Sequence, residues 1–271
     1  MGLLCPEESG RPPVSIPRIY LPHPIETGDL FAATAQQARY LKTVLRMRAG
    51  DPLFVFNGTA WEYKAVVRQT ADGLALEIND KRPVSADEIE ITLCQAIPKA
   101  EKMEAIIRHA TELGAGRIIP FFAERSIPRW PMAKSPQKRE RWQRIAVEAS
   151  RQCGRIDIPE IGEIVSFTEM LRSNQPGGLN LICWEEESVK GIREVLRDPR
   201  YEGIKKFLVI VGPEGGFDKD EIAQALPAGV LSVSLGKRVL RVDTAAVAVL
   251  SILQYEKGAL GGAERGGSHG G

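Results

Sequence analysis

Residues 207–217 read Phe207-Leu208-Val209-Ile210-Val211-Gly212-Pro213-Glu214-Gly215-Gly216-Phe217, and residues 235–245 read Leu235-Gly236-Lys237-Arg238-Val239-Leu240-Arg241-Val242-Asp243-Thr244-Ala245 after a second apolar run over 230–235. Each run is a short strand-like segment that opens into a glycine-bearing loop, leaving backbone N–H and C=O groups exposed where a small ligand could lie against them. A run as uniformly apolar as 207–211 fits a parallel sheet covered on both faces. Two elaborated loops at strand C-termini of one sheet mark the ligand crevice of such a fold. A tight turn with positive φ would also account for Gly215 or Gly216 without a ligand.

Working outward, strands are expected at residues 89–96, 117–122, 179–184, 206–211 and 230–235, and helices at 99–113, 136–152, 188–196, 219–226 and 244–257. Strand and helix alternate, the signature of an α/β domain. The last helix is apolar nearly all round over 245–253, so it belongs in the core or at a subunit interface. Residues 16–82 read differently, as short alternating runs with Asn57-Gly58 and Asp72-Gly73 turns and one helix over 34–46, which describes a small β-rich unit. The polar segment 83–88 is the expected boundary. Residues 1–15 and the glycine-rich 259–271 read as a flexible extension and tail.

Composition excludes several classes. With 271 residues, 43% hydrophobic and 26% charged, the chain can bury a large core, and two domains are favoured. No apolar stretch approaches the roughly 20 residues of a membrane span, and the N-terminus lacks an apolar signal core, so a cytoplasmic protein is expected. Cys5, Cys94, Cys153 and Cys183 have no metal-ligand or disulfide spacing, and Cys94 and Cys183 read as small buried hydrophobes in strands. Net charge is only +1, yet residues 125–155 carry nine basic residues against two acids, with Trp130 and Trp142 among them. That excess suits RNA or another polyanion; a solvated helix face is the alternative. The loops fit neither a P-loop, which needs G-x-x-x-x-G-K-[ST], nor the dinucleotide fingerprint, which follows the first strand of its domain.

The two quoted loops together resemble the paired signature of the trefoil-knotted SPOUT methyltransferases, and more narrowly the branch that methylates N3 of a uridine in small-subunit ribosomal RNA. Pro98-Lys99-Ala100-Glu101-Lys102-Met103, Thr111-Glu112-Leu113-Gly114, Ile118-Ile119-Pro120, Glu124-Arg125-Ser126, Arg151-Gln152-Cys153-Gly154-Arg155 and, upstream, Val44-Leu45-Arg46 with Gly50-Asp51 extend the likeness over about residues 17–257. The chain departs from that branch at Asp243, where Glu is usual, at Cys153, where Ser is usual, and near Tyr40, where His is frequent.

The resemblance implies an α/β fold: a C-terminal trefoil-knotted SPOUT methyltransferase domain with a mostly parallel sheet (residues 85–258) after a small N-terminal PUA-like β-barrel for RNA recognition (residues 16–84). It implies S-adenosyl-L-methionine bound, bent, by mostly backbone contacts from three loops, with Trp184, Gly212, Pro213, Glu214, Gly216, Leu235, Gly236, Leu240, Arg241, Thr244 and Ala245 as cofactor-binding residues. It further implies a homodimer without metal or membrane partner, acting on 16S ribosomal RNA of the small ribosomal subunit at the uridine conventionally numbered 1498.

Methyl transfer to uracil N3 needs an in-line methyl, a deprotonated N3 and exclusion of water, with the rate coming from positioning and electrostatics. Arg241 is the candidate cation for negative charge developing on O2 or O4; pairing with Glu214 or Asp243 is its structural alternative. Glu214 is a candidate base or ribose contact, or it orders its own loop. Asp243 with Thr244 could equally cap the last helix. Arg18, Arg46, Arg125 and Arg155 are candidates for RNA contact, with a solvated surface as the alternative. Two rival functions stand beside this one: a SPOUT methyltransferase with another RNA target, and a non-catalytic RNA-binding assembly factor.

Overall fold

The computed structural model describes residues 16–84, 87–99, 102–127, 130, 132–258 and 260–261. The expected extension 1–15, the tail apart from residues 260–261, and Ala100, Glu101 and Arg129 of the segments above lie outside the described residues. The chain divides between Val84 and Ser85 into two units.

The first unit contains β1 (Arg18–Tyr20), β2 (Leu30–Ala32), α1 (Ala35–Arg39), β3 (Pro52–Phe56), β4 (Trp61–Thr70) and β5 (Gly73–Pro83). The sheet runs β1-β3-β4-β5-β2, antiparallel except for β1 beside β3. Period-two alternation sends Leu53, Val55, Tyr63, Ala65, Val67, Leu76 and Ile78 into one core. A capping box between Thr34 and Gln37 starts α1. The helix expected over 34–46 keeps α geometry only to Arg39. A π turn over Tyr40–Val44 follows, closed by Leu45 N–H on the Tyr40 carbonyl at 3.0 Å, and Arg46 then adopts φ 54°.

The second unit contains β6 (Glu90–Ala96), α2 (Lys102–Glu112), β7 (Ala115–Phe122), α3 (Ser135–Cys153), β8 (Glu160–Ile161), β9 (Val165–Ser166), α4 (Phe167–Leu171), β10 (Leu179–Cys183), α5 (Ile192–Leu196), β11 (Lys206–Val211), α6 (Lys219–Ala225), β12 (Leu231–Val233) and α7 (Val242–Lys257). All its strand pairs are parallel, in the order β12-β10-β11-β6-β7-β8, with β9 also on β7. Phe207, Val209 and Val211 pack with α2, α3, α5 and α7 on one face. Leu208 and Ile210 pack with α4 and α6 on the other. The uniformly apolar β11 is thus buried on both sides, as its sequence requires. Cys94 in β6 is fully buried, and burial pushes its thiol well above the ordinary range.

The helix expected over 188–196 forms only as α5. Glu187 accepts the amide N–H groups of Val189 and Lys190 at 2.8 and 3.2 Å, and Gly191 bridges to Ser234. Those bonds hold residues 187–191 as a turn against β12. The short β2, β8, β9 and α4 were not apparent in the sequence. Among the described residues no helix is long and apolar enough to cross a membrane.

Candidate active site

The strands β12, β10 and β11 lie side by side and parallel, so the turns after Cys183, Val211 and Val233 open at one end of the sheet. Together with the N-terminus of α7 they enclose a cavity of about 400 Å³, within the range of small-molecule sites. Of the residues expected to bind a cofactor, Trp184, Gly212, Pro213, Glu214, Gly216, Leu235, Gly236, Leu240, Arg241 and Ala245 line it. Thr244 does not: it is exposed on the first turn of α7, while Ala245 one residue on faces the cavity. Lys102, Cys183, Glu185, Ser234, Lys237 and Arg238 also line it and were not singled out from the sequence. Lys102 lay within the quoted 98–103 segment, which was the available signal.

The loop after β11 is held from several sides. Gly216 has φ 69°, and its N–H donates to the Pro213 carbonyl at 3.0 Å. Arg125 donates to the Gly215 carbonyl at 3.2 Å and to Asp218 at 2.9 Å. Glu221, at N3 of the α6 capping box, accepts the amide N–H groups of Glu124 and Asp218 at 3.0 and 2.9 Å. Burial pushes the Glu221 carboxyl up. Arg125, expected to contact RNA, therefore braces the Gly212–Phe217 turn with its guanidinium.

Glu214 reaches across to the start of α2. It accepts the Lys99 amide N–H at 3.1 Å and the Lys102 ammonium at 2.8 Å. Burial alone would raise its carboxyl, and the Lys102 and backbone hydrogen bonds more than offset that, so it lies below the ordinary range. A carboxylate so held is a weak proton acceptor and a good latch between two loops. Because its folded value is depressed, the latch contributes stability above the unfolded value of 4.5 and loses it as pH falls through the folded value. Both partners are partly exposed, so Lys102→Ala is expected to cost only about 0.5–1 kcal/mol at pH 7. The difference in melting temperature between wild type and variant should be full at pH 7, shrink as pH falls below 4.5 and vanish only below the depressed folded value.

Arg241 occupies the N-cap position of α7 with φ −65° and ψ 153°. Its carbonyl accepts the Ala245 amide N–H at 2.7 Å, while its guanidinium is exposed at the cavity and has no hydrogen bond or ion pair among the described residues. The structural pairing with Glu214 or Asp243 is absent, since Glu214 is engaged by Lys102. Asp243 does not cap the helix either; it lies in the first turn with Oδ1 buried and without a hydrogen-bond partner among the described residues. Trp184 likewise buries an unpartnered Nε1 at the cavity. Burial pushes the Cys183 thiol up to about 12, so it stays protonated and is no nucleophile.

The other arginines expected to meet RNA differ in kind. Arg155 donates to the Thr111 and Ala115 carbonyls at 2.7 and 3.0 Å and pairs with Asp157, with 12% of its side chain exposed. Neither RNA contact nor a solvated surface describes it: its donors tie the end of α2 and the start of β7 to the turn after α3. Arg155→Ala is expected to destabilise the protein by about 2–3 kcal/mol, measured by urea denaturation. In the first unit Arg18 is ion-paired with the buried Glu62 at 2.6 Å, and Arg82 pairs with the same carboxylate. Arg46 is exposed and free of partners among the described residues.

A family model described as an RNA methyltransferase domain matches residues 85–254, and one described as an RNA methyltransferase PUA domain matches residues 33–78. The chain is 30% identical over 240 residues to ribosomal RNA small subunit methyltransferase E of Bacillus subtilis, covering 86% of this chain and 92% of that protein. Among solved structures it is similar to ribosomal RNA small subunit methyltransferase E of Neisseria gonorrhoeae bound to S-adenosyl methionine, with a TM-score of 0.81 and 30% identity over 90% of this chain and 99% of that one. A methyltransferase of Legionella pneumophila in complex with the same cofactor gives 0.80 and 32%, again over 90% and 99%.

Proposed function

Since the chain belongs to the RNA methyltransferase family of ribosomal RNA small subunit methyltransferase E, we propose that it binds S-adenosyl-L-methionine in the cavity of the second unit and methylates N3 of a uridine in 16S ribosomal RNA, the one numbered 1498. The observation that carries the reading is the cavity itself, built from three parallel-strand termini with an unpartnered arginine at its edge. Its residues suit that cofactor: Leu235, Leu240 and Ala245 offer apolar surface, Trp184 Nε1 is a buried donor without a protein acceptor, and Gly212 and Gly216 keep side chains out of the loop.

The bound cofactor supplies an activated methyl group. The chain's own residues do the rest by positioning and charge. The loop Gly212–Phe217, braced by Arg125 and Glu221, keeps one wall rigid. Arg241 holds the negative charge that develops on uracil O2 or O4 as the N3 proton passes to solvent water. Glu214 acts through the loops as a positioning residue rather than as the base. We place the 85–258 segment as the methyltransferase domain, threaded as a trefoil knot, and 16–84 as the RNA-recognition domain, with Arg46 among its cations that are unpaired within the described residues. The face that α7 turns outward, with Val247 and the 66% exposed Tyr255, is the proposed homodimer contact. A cytoplasmic location follows from the ribosomal substrate.

Incubation with labelled cofactor and small subunits from a strain lacking this modification should yield N3-methyluridine on nucleoside mass spectrometry. Label in a different nucleoside would replace the target, and no transfer by cofactor-binding protein would overturn the catalytic reading.

A further inference from the structure

We infer that Lys237 and Arg238 are substrate-positioning residues that hold phosphates of the RNA strand on either side of the nucleotide entering the cavity. The inference rests on the methyltransferase reading above.

The turn that presents them is built for display. Gly236 takes φ 121°, and its N–H is held by Ser234 Oγ at 3.2 Å, so the chain leaves β12 sharply and turns outward. Lys237, Arg238 and Val239 are exposed at the cavity, with Val239 at 84%. Neither cation has a hydrogen bond or ion pair among the described residues. None of the amide N–H groups of residues 237–240 donates to an acceptor among the described residues. Those backbone donors face the proposed cofactor cavity, and the two unpartnered cationic side chains beside it make the anion-binding edge.

The charge balance of the cavity says which anion. Glu214 is neutralised by Lys102, and Glu185, the other carboxylate lining the cavity, makes no ion pair with Lys237, Arg238 or Arg241 among the described residues, so three loop cations face one carboxylate and an excess of positive charge remains. S-adenosylmethionine carries a sulfonium and is itself net positive, so clustering Lys237, Arg238 and Arg241 around its pocket disfavours the cofactor by like-charge repulsion. A polyanion that enters after the cofactor turns that cost into attraction. RNA meets this requirement, and the apolar tip at Val239 between the cations gives a base a surface to rest on.

The test uses the full-length protein with Lys237 and Arg238 both changed to alanine, checked for an unaltered melting temperature. Binding to unmethylated small subunits is measured against salt, in parallel with calorimetric binding of S-adenosylmethionine. Each lost phosphate contact should flatten the slope of log K against log salt by about 0.7. The expected result is a slope shallower by about 1.4, a KM for subunits raised about tenfold, and cofactor affinity within twofold of wild type. Lys237→Arg with Arg238→Lys should restore the slope, because charge is retained. An unchanged slope, or a loss of cofactor affinity that matches the loss of subunit binding, would overturn the assignment. Because the salt slope is a binding measurement, it remains decisive even if the wild-type protein transfers no methyl group, an outcome that would instead remove the proposed reaction.

Discussion

Arg241→Ala is expected to lower the rate constant for methyl transfer about a hundredfold or more, while folding and cofactor binding stay near wild type. The size follows from the part assigned to the guanidinium. Removing one preorganised donor that meets developing negative charge costs about 10²–10³ in kcat. The structure supports a large effect because this arginine has no other employment: it is exposed at the cavity and has no partner among the described residues, and the acid that might have held it is already bound to Lys102. The α7 helix should survive, since the residue contributes no side-chain cap to it. Single-turnover kinetics with saturating cofactor check the expectation. Arg241→Lys keeps the charge without the planar fork and should recover part of the rate. Unchanged turnover in the alanine variant would remove Arg241 from the mechanism.

Gly216→Val should abolish measurable cofactor binding. Glycine is required at this position for two reasons. Its φ of 69° lies in the left-handed region, where a β-branched side chain is strongly disfavoured. A Cβ there would also collide with the Glu185 carboxylate, lying 2.8 Å from Cδ. The exposed Glu185 side chain can swing aside, but the left-handed φ is relieved only if the loop after β11 moves, and that loop is tied by Arg125, Glu214 and Glu221 to three neighbouring segments. The cost is about 2–3 kcal/mol of stability together with a misplaced cavity wall. Calorimetry should detect no binding at concentrations where wild type saturates, and the melting temperature should fall. Gly229 provides the control: its φ of 82° is similar but nothing lies within 4 Å of a Cβ there, so Gly229→Ala should weaken stability modestly and leave binding intact.

Much of this site was legible in the sequence because the residues that build it are contiguous. The runs at 207–211 and 230–235 and the glycines after them specify strand, burial and loop through side-chain periodicity and backbone freedom, which are local properties. The strand at Lys206–Val211 falls where the apolar run placed it, and α7 begins two residues earlier than expected at 244. Arg241 came out at the cavity for the same reason: it sits in the loop that the motif defines. Arg125 and Arg155 show where such reading stops. Both fall in a stretch rich in positive charge, and charge density alone suggested a polyanion. Yet Arg155 donates to carbonyls 44 and 40 residues away in sequence, and Arg125 to a loop 90 residues on.

Sequence by itself determined that a β-rich unit precedes an alternating α/β unit, that one end of the parallel sheet carries two glycine loops, and which family signature those loops form. These follow from hydrophobic period and turn chemistry, which each segment carries alone. Only the tertiary structure decided that Lys102 neutralises Glu214, that Arg241 stands free, that Arg155 is a structural tie, and that Ala245 rather than Thr244 faces the cavity. Each of those depends on which groups from distant segments arrive within hydrogen-bonding distance, and a buried donor or acceptor takes whichever partner the packing presents to it.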